Sequence, residues 1–470
     1  MKITFSNLGT IKKTSLDLRP LTVIIGPNNS SKTYVAYTVY GLLNGLSSAF
    51  MSEIDANNIS WHKSLKAVRL KVNEDLVRTI NKRLNLVATS FLQGMSTFFQ
   101  DTSYTLFSRT KLGITIGLDD LSGAVDKLAA EFRSARPLSF TNGVASIELR
   151  EGEDAARQAA MIATQLGRFL TFGRPFLLPA ERNAFILSYR VLANRRYKLM
   201  KDTQQRMFSF ARGSGRGLTS GSRTSNLDLL RELASQDQGG AQYPKPLEDF
   251  LDFLTDVEIG EYAIAKDGGD EFSLLAGSVE QSIQNNNRLT FERTASGGRK
   301  LKIDLQDGTS LDLYNASSSI KQLASLLLYM RHRARPDDFL IIDEPEMNLH
   351  PEAQAKLLEI LGILVNLGVR VLLTTHSPYL MTHLNNLISG DMDHPSIRKR
   401  QASSLLLKDP RAFLRVDDVS AYEMKNNELH SLKDEDYGIR WDTLSDVSVD
   451  LQQRYFEIDE KGRSRRVKTA

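Results

Sequence analysis

The chain has 470 residues, 41% hydrophobic and 25% charged, with a formal net charge of +4. That balance is ordinary for a globular protein of two or three structural units, and the charge is too small to argue for nucleic acid by itself. Cysteine is absent, which excludes a disulfide framework, a thiolate metal site and a cysteine nucleophile.

The first residues alternate as short strands do, with Ile3 and Phe5, Leu16 and Leu18, then Leu21, Val23 and Ile25. The start lacks the apolar core of a signal peptide and no apolar run is long enough to span a bilayer, so a cytoplasmic protein without a membrane segment is expected. A loop, Gly26-Pro27-Asn28-Asn29-Ser30-Ser31-Lys32-Thr33, precedes a helical pattern through Tyr34, Tyr37, Tyr40 and Leu43. From about 44 to 167 the pattern is mostly helical, with weaker strands such as Ser146-Ile147-Glu148-Leu149.

Pro175 to Pro179 reads as a short buried strand, and Phe185 to Arg206 as a long basic helix. A glycine- and serine-rich stretch to Ser225 and a second helical pattern from Leu227 to about Val257 complete what looks like an arm with a flexible tip. Between Arg182 and Ser225 ten bases face one acid, Asp202, and a second basic run spans Lys461 to Lys468. Such runs attract phosphate backbones or acidic partners, and they also occur as plain solvated faces.

Leu289 to Leu313 alternates around Asp307-Gly308, a hairpin signal. Ser317 to Arg331 is helical, Phe339 to Asp343 is a continuous apolar strand, Glu352 to Leu367 is a helix, and Val369 to Thr374 is another buried strand. Strand, helix, strand in that order predicts a parallel sheet.

Three motifs carry chemistry. The loop at 26–33 matches the phosphate-binding pattern G-x-x-x-x-G-K-[ST] with Ser31 in place of the second glycine. The backbone N–H groups of Gly26, Asn28, Asn29, Ser30 and Ser31 would wrap phosphates at a helix N-terminus, Lys32 would reach the β- and γ-phosphates, and Thr33 would place its hydroxyl on Mg²⁺. If the replaced glycine required positive φ, the serine would cost about 1 kcal/mol or more. In the second motif an apolar strand ends in Asp343 and Glu344, suited to hold the Mg²⁺ shell and to polarise the attacking water. The third, Thr374-Thr375-His376-Ser377-Pro378, puts an imidazole at the C-terminal edge of the expected parallel sheet, where ligands bind and where it could touch the γ-phosphate.

On Leu21 to Thr33, Asp343-Glu344-Pro345-Glu346-Met347-Asn348-Leu349-His350-Pro351 and Thr375-His376-Ser377-Pro378, the chain resembles the ABC-type ATPases of the RecF, SMC and OLD group. Pro179-Ala180-Glu181-Arg182 resembles a motif of OLD-like ATPases. The resemblance implies an α/β fold, an ABC-type P-loop ATPase head with a mainly parallel sheet and a helical insertion. It implies ATP and Mg²⁺ as ligands and ATP hydrolysis, with Glu344 and His376 catalytic, and the serines that stand for glycines at Ser31 and at Ser318 and Ser319 lead to slow turnover being expected. It further implies a signature segment that caps the ATP of an opposite protomer. Ser296-Gly297-Gly298 competes for that role with Ser317-Ser318-Ser319, and the latter is preferred because it precedes a helix, as capping a γ-phosphate needs. Leu349-His350-Pro351 resembles the loop that crosses the clamped dimer of this group.

About ninety residues follow the third motif. The acids there, Asp434, Glu435 and Asp436 and then Asp442, Asp446 and Asp450, end no clear apolar strand, so a nuclease, if any, is expected on a separate chain. The length and layout are similar to the ATPase subunits of two-gene anti-phage systems, first that of PARIS, whose partner is a Toprim nuclease, and next that of Septu, whose partner is an HNH nuclease. The resemblance implies a homo-oligomer closed around ATP, a gated effector nuclease and a phage trigger protein, with DNA on the basic arm as a further candidate. A RecF- or SMC-like DNA-repair clamp is the alternative. The expected division is an N-terminal head part over 1–43, a helical insertion over 44–174, a head strand over 175–184, a basic arm over 185–265, a C-terminal head part over 266–390 and a partner-binding extension over 391–470.

Overall fold

Leu21–Ile25 and Phe339–Asp343 are buried at every position, as strands covered on both faces must be. With Arg370–Thr375 they form the middle of a six-stranded sheet. Its order is Glu428–Ser431, Val419–Lys425, Leu21–Ile25, Arg370–Thr375, Phe339–Asp343, Pro175–Leu178. All neighbours run parallel except the first pair. The fold is thus mixed α/β with a mainly parallel sheet. The computed structural model describes residues 1–49, 59–62, 67–132, 139–141, 144–148, 154–170, 173–192, 243–259, 270–293, 299–390, 392–434, 438–440 and 452–456.

Alternate residues of each strand serve opposite faces, and two cores result. Leu340, Ile342, Val371, Leu373, Leu21 and Val23 face one core, with apolar residues of the helices Ser318–His332, Pro351–Asn366, Lys245–Ile259 and Pro378–Ile388. Phe339, Ile341, Leu372 and Ile24 face the other, with the helices Lys32–Ala49 and Glu74–Phe99. Register aligns the ends that matter: Asp343 lies beside Thr374, and Ile25 beside Thr375. The residues that follow these strands therefore emerge on one edge.

The segment 44–174 holds strands as well as helices, and its strand Lys111–Thr115 pairs with Lys2–Leu8 in an antiparallel sheet whose third member is Ile11–Asp17. Ile114, Ile3, Phe5 and Leu16 bury together, so this part shares a core with the head's N-terminal part. The segment 391–470 is not only an extension. Val419–Lys425 docks parallel beside Leu21–Ile25, and its apolar residues Val419, Ala421, Tyr422 and Met424 are buried there.

The helix expected from Phe185 begins at 182 and is described through 192, and the second arm helix is described as Lys245–Ile259. The rest of the arm and the basic run Lys461 to Lys468 lie outside the described residues, as do Ser296-Gly297-Gly298, Glu435, Asp436, Asp442, Asp446 and Asp450. The hairpin around Asp307-Gly308 forms, with Gly308 at φ +82° and Lys302, Ile303 and Asp304 paired to Asp312, Leu311 and Ser310. Among the described residues no helix is long and apolar enough to cross a membrane.

Candidate active site

The loop 26–33 leaves the strand Leu21–Ile25 and enters the helix Lys32–Ala49. A side chain at Gly26 would meet Met424 Cβ at 2.6 Å, so the neighbouring strand leaves room only for glycine. Asn28 and Asn29 are exposed at the crest of the loop, and Ser30 Oγ donates to Pro27 O at 2.7 Å. Asn29 and Ser31 adopt left-handed φ of +59° and +68°. The second-glycine position does demand positive φ, and Ser31 carries that strain. Its hydroxyl offsets the cost by accepting the Thr10 N–H at 3.0 Å and lying 2.9 Å from Thr10 Oγ1.

Lys32 is buried and its ammonium folds back on the loop, donating to Gly26 O at 3.0 Å and Pro27 O at 2.8 Å. Burial lowers its pKa, opposed by the nearby carboxylates of Glu344, Asp343 and Glu346. Thr33 Oγ1 donates to Asp343 Oδ2 at 2.9 Å, and Thr374 Oγ1 donates to Asp343 Oδ1. Asp343 is 1% exposed, and burial raises its pKa against the pull of both hydroxyls. A buried carboxylate next to an exposed threonine hydroxyl is a donor set for a hard divalent cation, whose charge would offset the desolvation. Mg²⁺ therefore fits Thr33 and Asp343.

Glu344 follows at φ +46°, a strained conformation for glutamate, with its N–H donated to Thr374 O at 3.1 Å. That geometry turns its carboxylate to His376, whose Nε2 lies 3.2 Å from Glu344 Oε1. The imidazole contact, ahead of Lys32 and Arg182, holds the Glu344 pKa below its ordinary value. A carboxylate kept ionised and aimed from the sheet edge can orient and deprotonate water.

Ser317, Ser318 and Ser319 do not join this cluster. Ser317 is the N-cap of Ser318–His332, its Oγ accepting the Ile320 N–H at 3.4 Å and lying 3.0 Å from Ser319 Oγ. All three serines lie at the protein surface, Ser319 partly covered. His350 is exposed and caps the helix Pro351–Asn366, with Asn348 before it at φ +60°.

Three contributors went unassigned in the sequence reading. Glu346 Oε1 accepts from Thr375 Oγ1 at 2.7 Å and from the His376 N–H at 2.6 Å, which fixes the imidazole's backbone. Thr374 braces both Asp343 and Glu344. Arg182 is 2% exposed and donates to Pro179 O at 2.8 Å, Asp343 O at 2.7 Å, Glu344 O at 3.0 Å and Gln322 O at 3.3 Å. The run of Pro179 to Arg182 and the paired threonines before His376 were the visible signals for two of them.

This strand order defines a mixed α/β fold with a mainly parallel sheet, with the loop 26–33 leading from a central strand into a helix. Residues 226–382 match the family model described as an AAA domain, putative AbiEii toxin, Type IV TA system. The matched stretch includes Asp343, Glu344 and His376 but not the loop at 26–33. No protein of curated function matches the sequence. Among solved structures the chain is similar to the Smc head domain with an extended coiled coil bound to the C-terminal domain of ScpA from Pyrococcus furiosus, at 12% identity and TM-score 0.33, covering 92% of this chain and 95% of that one. It is also similar to the SmcHead bound to the C-winged helix domain of ScpA, at 13% identity and TM-score 0.35, covering 92% and 96%. At those values the fold assignment rests on the sheet itself.

Proposed function

We propose that this chain binds and slowly hydrolyses ATP in a site completed by a second copy, and that the closing of the two copies gates a separate effector nuclease of Toprim or HNH type in anti-phage defence. The observation that carries the ATPase reading is the meeting, on one sheet edge, of Thr33 with Asp343 and of Glu344 with His376. Backbone N–H groups of the loop receive the phosphates, and Lys32 exchanges its loop carbonyls for phosphate oxygens. Thr33 and Asp343 would hold Mg²⁺, which would neutralise phosphate charge. Glu344 takes the proton of the attacking water, and His376 holds that carboxylate in place.

Completion by a second copy is supported by Ser317, Ser318 and Ser319. They present a helix N-terminus at the surface, remote in hydrogen bonding from their own loop. The gating role is supported by the family description, which names a putative AbiEii toxin of a Type IV TA system, and by the layout of the sequence. Native mass spectrometry of Glu344→Gln expressed beside its genomic neighbours tests both steps. A fixed-ratio complex of several copies with a nuclease-sized neighbour and bound ATP is expected. A monomer without nucleotide would sink the reading, and a homo-oligomer carrying DNA would replace the gate with a clamp.

A further inference from the structure

We infer that Arg182 is a positioning residue that locks the helix Ser318–His332 to the loop carrying Glu344, so that the capping end at Ser317 and the water-activating carboxylate shift as one unit. The inference rests on the nucleotide-site reading above.

A guanidinium this deeply buried normally meets a carboxylate, because desolvating a lone charge is costly. Arg182 pairs with no carboxylate among the described residues. Its N–H groups are spent on the carbonyls of Pro179, Asp343, Glu344 and Gln322. The Gln322 side-chain oxygen, in the orientation its neighbours demand, takes a further Nη2 proton. Burial pushes the Arg182 pKa down to about 10, and the fields of Asp343, Glu346 and Glu344 oppose the fall, so the group stays charged at neutral pH.

An apolar side chain could fill this space with less desolvation, so packing alone does not account for an arginine. The planar fork does what no apolar group can, since it binds several carbonyls from two elements at fixed angles. One set belongs to the catalytic loop and the other to the helix. Gln322 lies five residues after the N-cap Ser317, about 7.5 Å along a rigid helix. On the loop side, the Glu344 backbone is strained at φ +46° and is held by Thr374 and Arg182. Without the guanidinium the strain can relax, and the carboxylate leaves His376. In a site shared by two copies, Ser317 touches one nucleotide while Glu344 acts on the other. A link between them couples the two hydrolysis events.

The test compares wild type with Arg182→Lys and Arg182→Met by thermal melt, binding of a fluorescent ATP analogue, and steady-state hydrolysis. The Arg182 N–H groups are already spent on protein carbonyls, so affinity should stay within about threefold. Misplacement of Glu344 should lower kcat by roughly tenfold to a hundredfold in Arg182→Met, with partial recovery in Arg182→Lys, and the Hill coefficient for ATP should fall toward one. A folded Arg182→Met with kcat and Hill coefficient unchanged, or a loss confined to affinity, overturns the inference. Should neither variant fold, a crystal structure of the wild type with a non-hydrolysable ATP analogue decides. The bonds from Arg182 to Glu344 O and Gln322 O must both persist, and a helix that moves away from Arg182 while Glu344 stays put overturns it. Wild type that neither binds nor hydrolyses ATP refutes the functional reading instead, a result distinct from any produced by the Arg182 variants.

Discussion

The Thr33 hydroxyl donates to Asp343 Oδ2 at 2.9 Å across 310 positions of sequence. This bond joins the loop 26–33 to the strand Phe339–Asp343 and, in the proposed function, marks where a divalent cation would sit. Asp343→Asn keeps an acceptor for Thr33 but removes the charge. Affinity for an ATP analogue in the presence of Mg²⁺ should fall by roughly tenfold to a hundredfold, as loss of a metal-site partner does, with little change in EDTA. Equal losses in both buffers would mean that Asp343 does not act through the cation.

Lys32 and Glu344 separate binding from chemistry. Lys32→Ala removes the only ammonium folded into the loop among the described residues, so ATP binding should be lost. Glu344→Gln keeps the size and one acceptor for His376 but cannot take a proton. It should bind ATP as wild type does while turnover drops by about a hundredfold to ten-thousandfold. Equilibrium binding alongside phosphate release measures both, and wild-type turnover in Glu344→Gln would refute its role as base.

Ser31 allows the strain of its position to be separated from its tether. Ser31→Ala keeps φ at +68° and loses the bonds to Thr10, so it should be destabilised by about 1 kcal/mol. Ser31→Gly loses the same bonds but is relieved of the backbone strain, and should lie closer to wild type. Thermal melts and ATP affinities of the pair check the order. If alanine proves the milder change, the Thr10 contact does not offset the strain.

Asp338 supplies a pH signature outside the candidate site. Burial raises its pKa from 3.8 to about 6, opposed by Arg174 and Arg333. The native state therefore binds this proton more tightly than the unfolded chain. Stability from this group falls as pH rises from about 4 through 6, and the full cost is present at pH 7 and above. Asp338→Asn can still accept the Arg335 N–H and carries no charge. Its stability gain should be small at pH 4 and grow to at most about 3 kcal/mol by pH 8. Urea unfolding across that range measures it. A gain that does not grow with pH would show that Asp338 is not held against its ionisation.

Much of this was legible in local sequence because the features are local. The loop 26–33 is one strand–turn–helix whose residue types meet the needs of a phosphate cradle, and the apolar runs before Asp343 and Thr375 announce strands covered on both faces. Even the strain at Ser31 was readable as a conditional cost, since only glycine takes positive φ freely.

What could not be read were relations between distant segments, which depend on strand order and register. Nothing local places Val419–Lys425 beside Leu21–Ile25, or Lys111–Thr115 beside Lys2–Leu8, because pairing between remote strands is decided by which apolar faces remain to be buried. The same holds for Arg182. Apart from the Gln322 side chain its partners are backbone carbonyls, which every residue carries, so no residue type at 343 or 344 could have advertised the contact. The chemistry was written in short motifs, and the tertiary packing alone decided which of them touch.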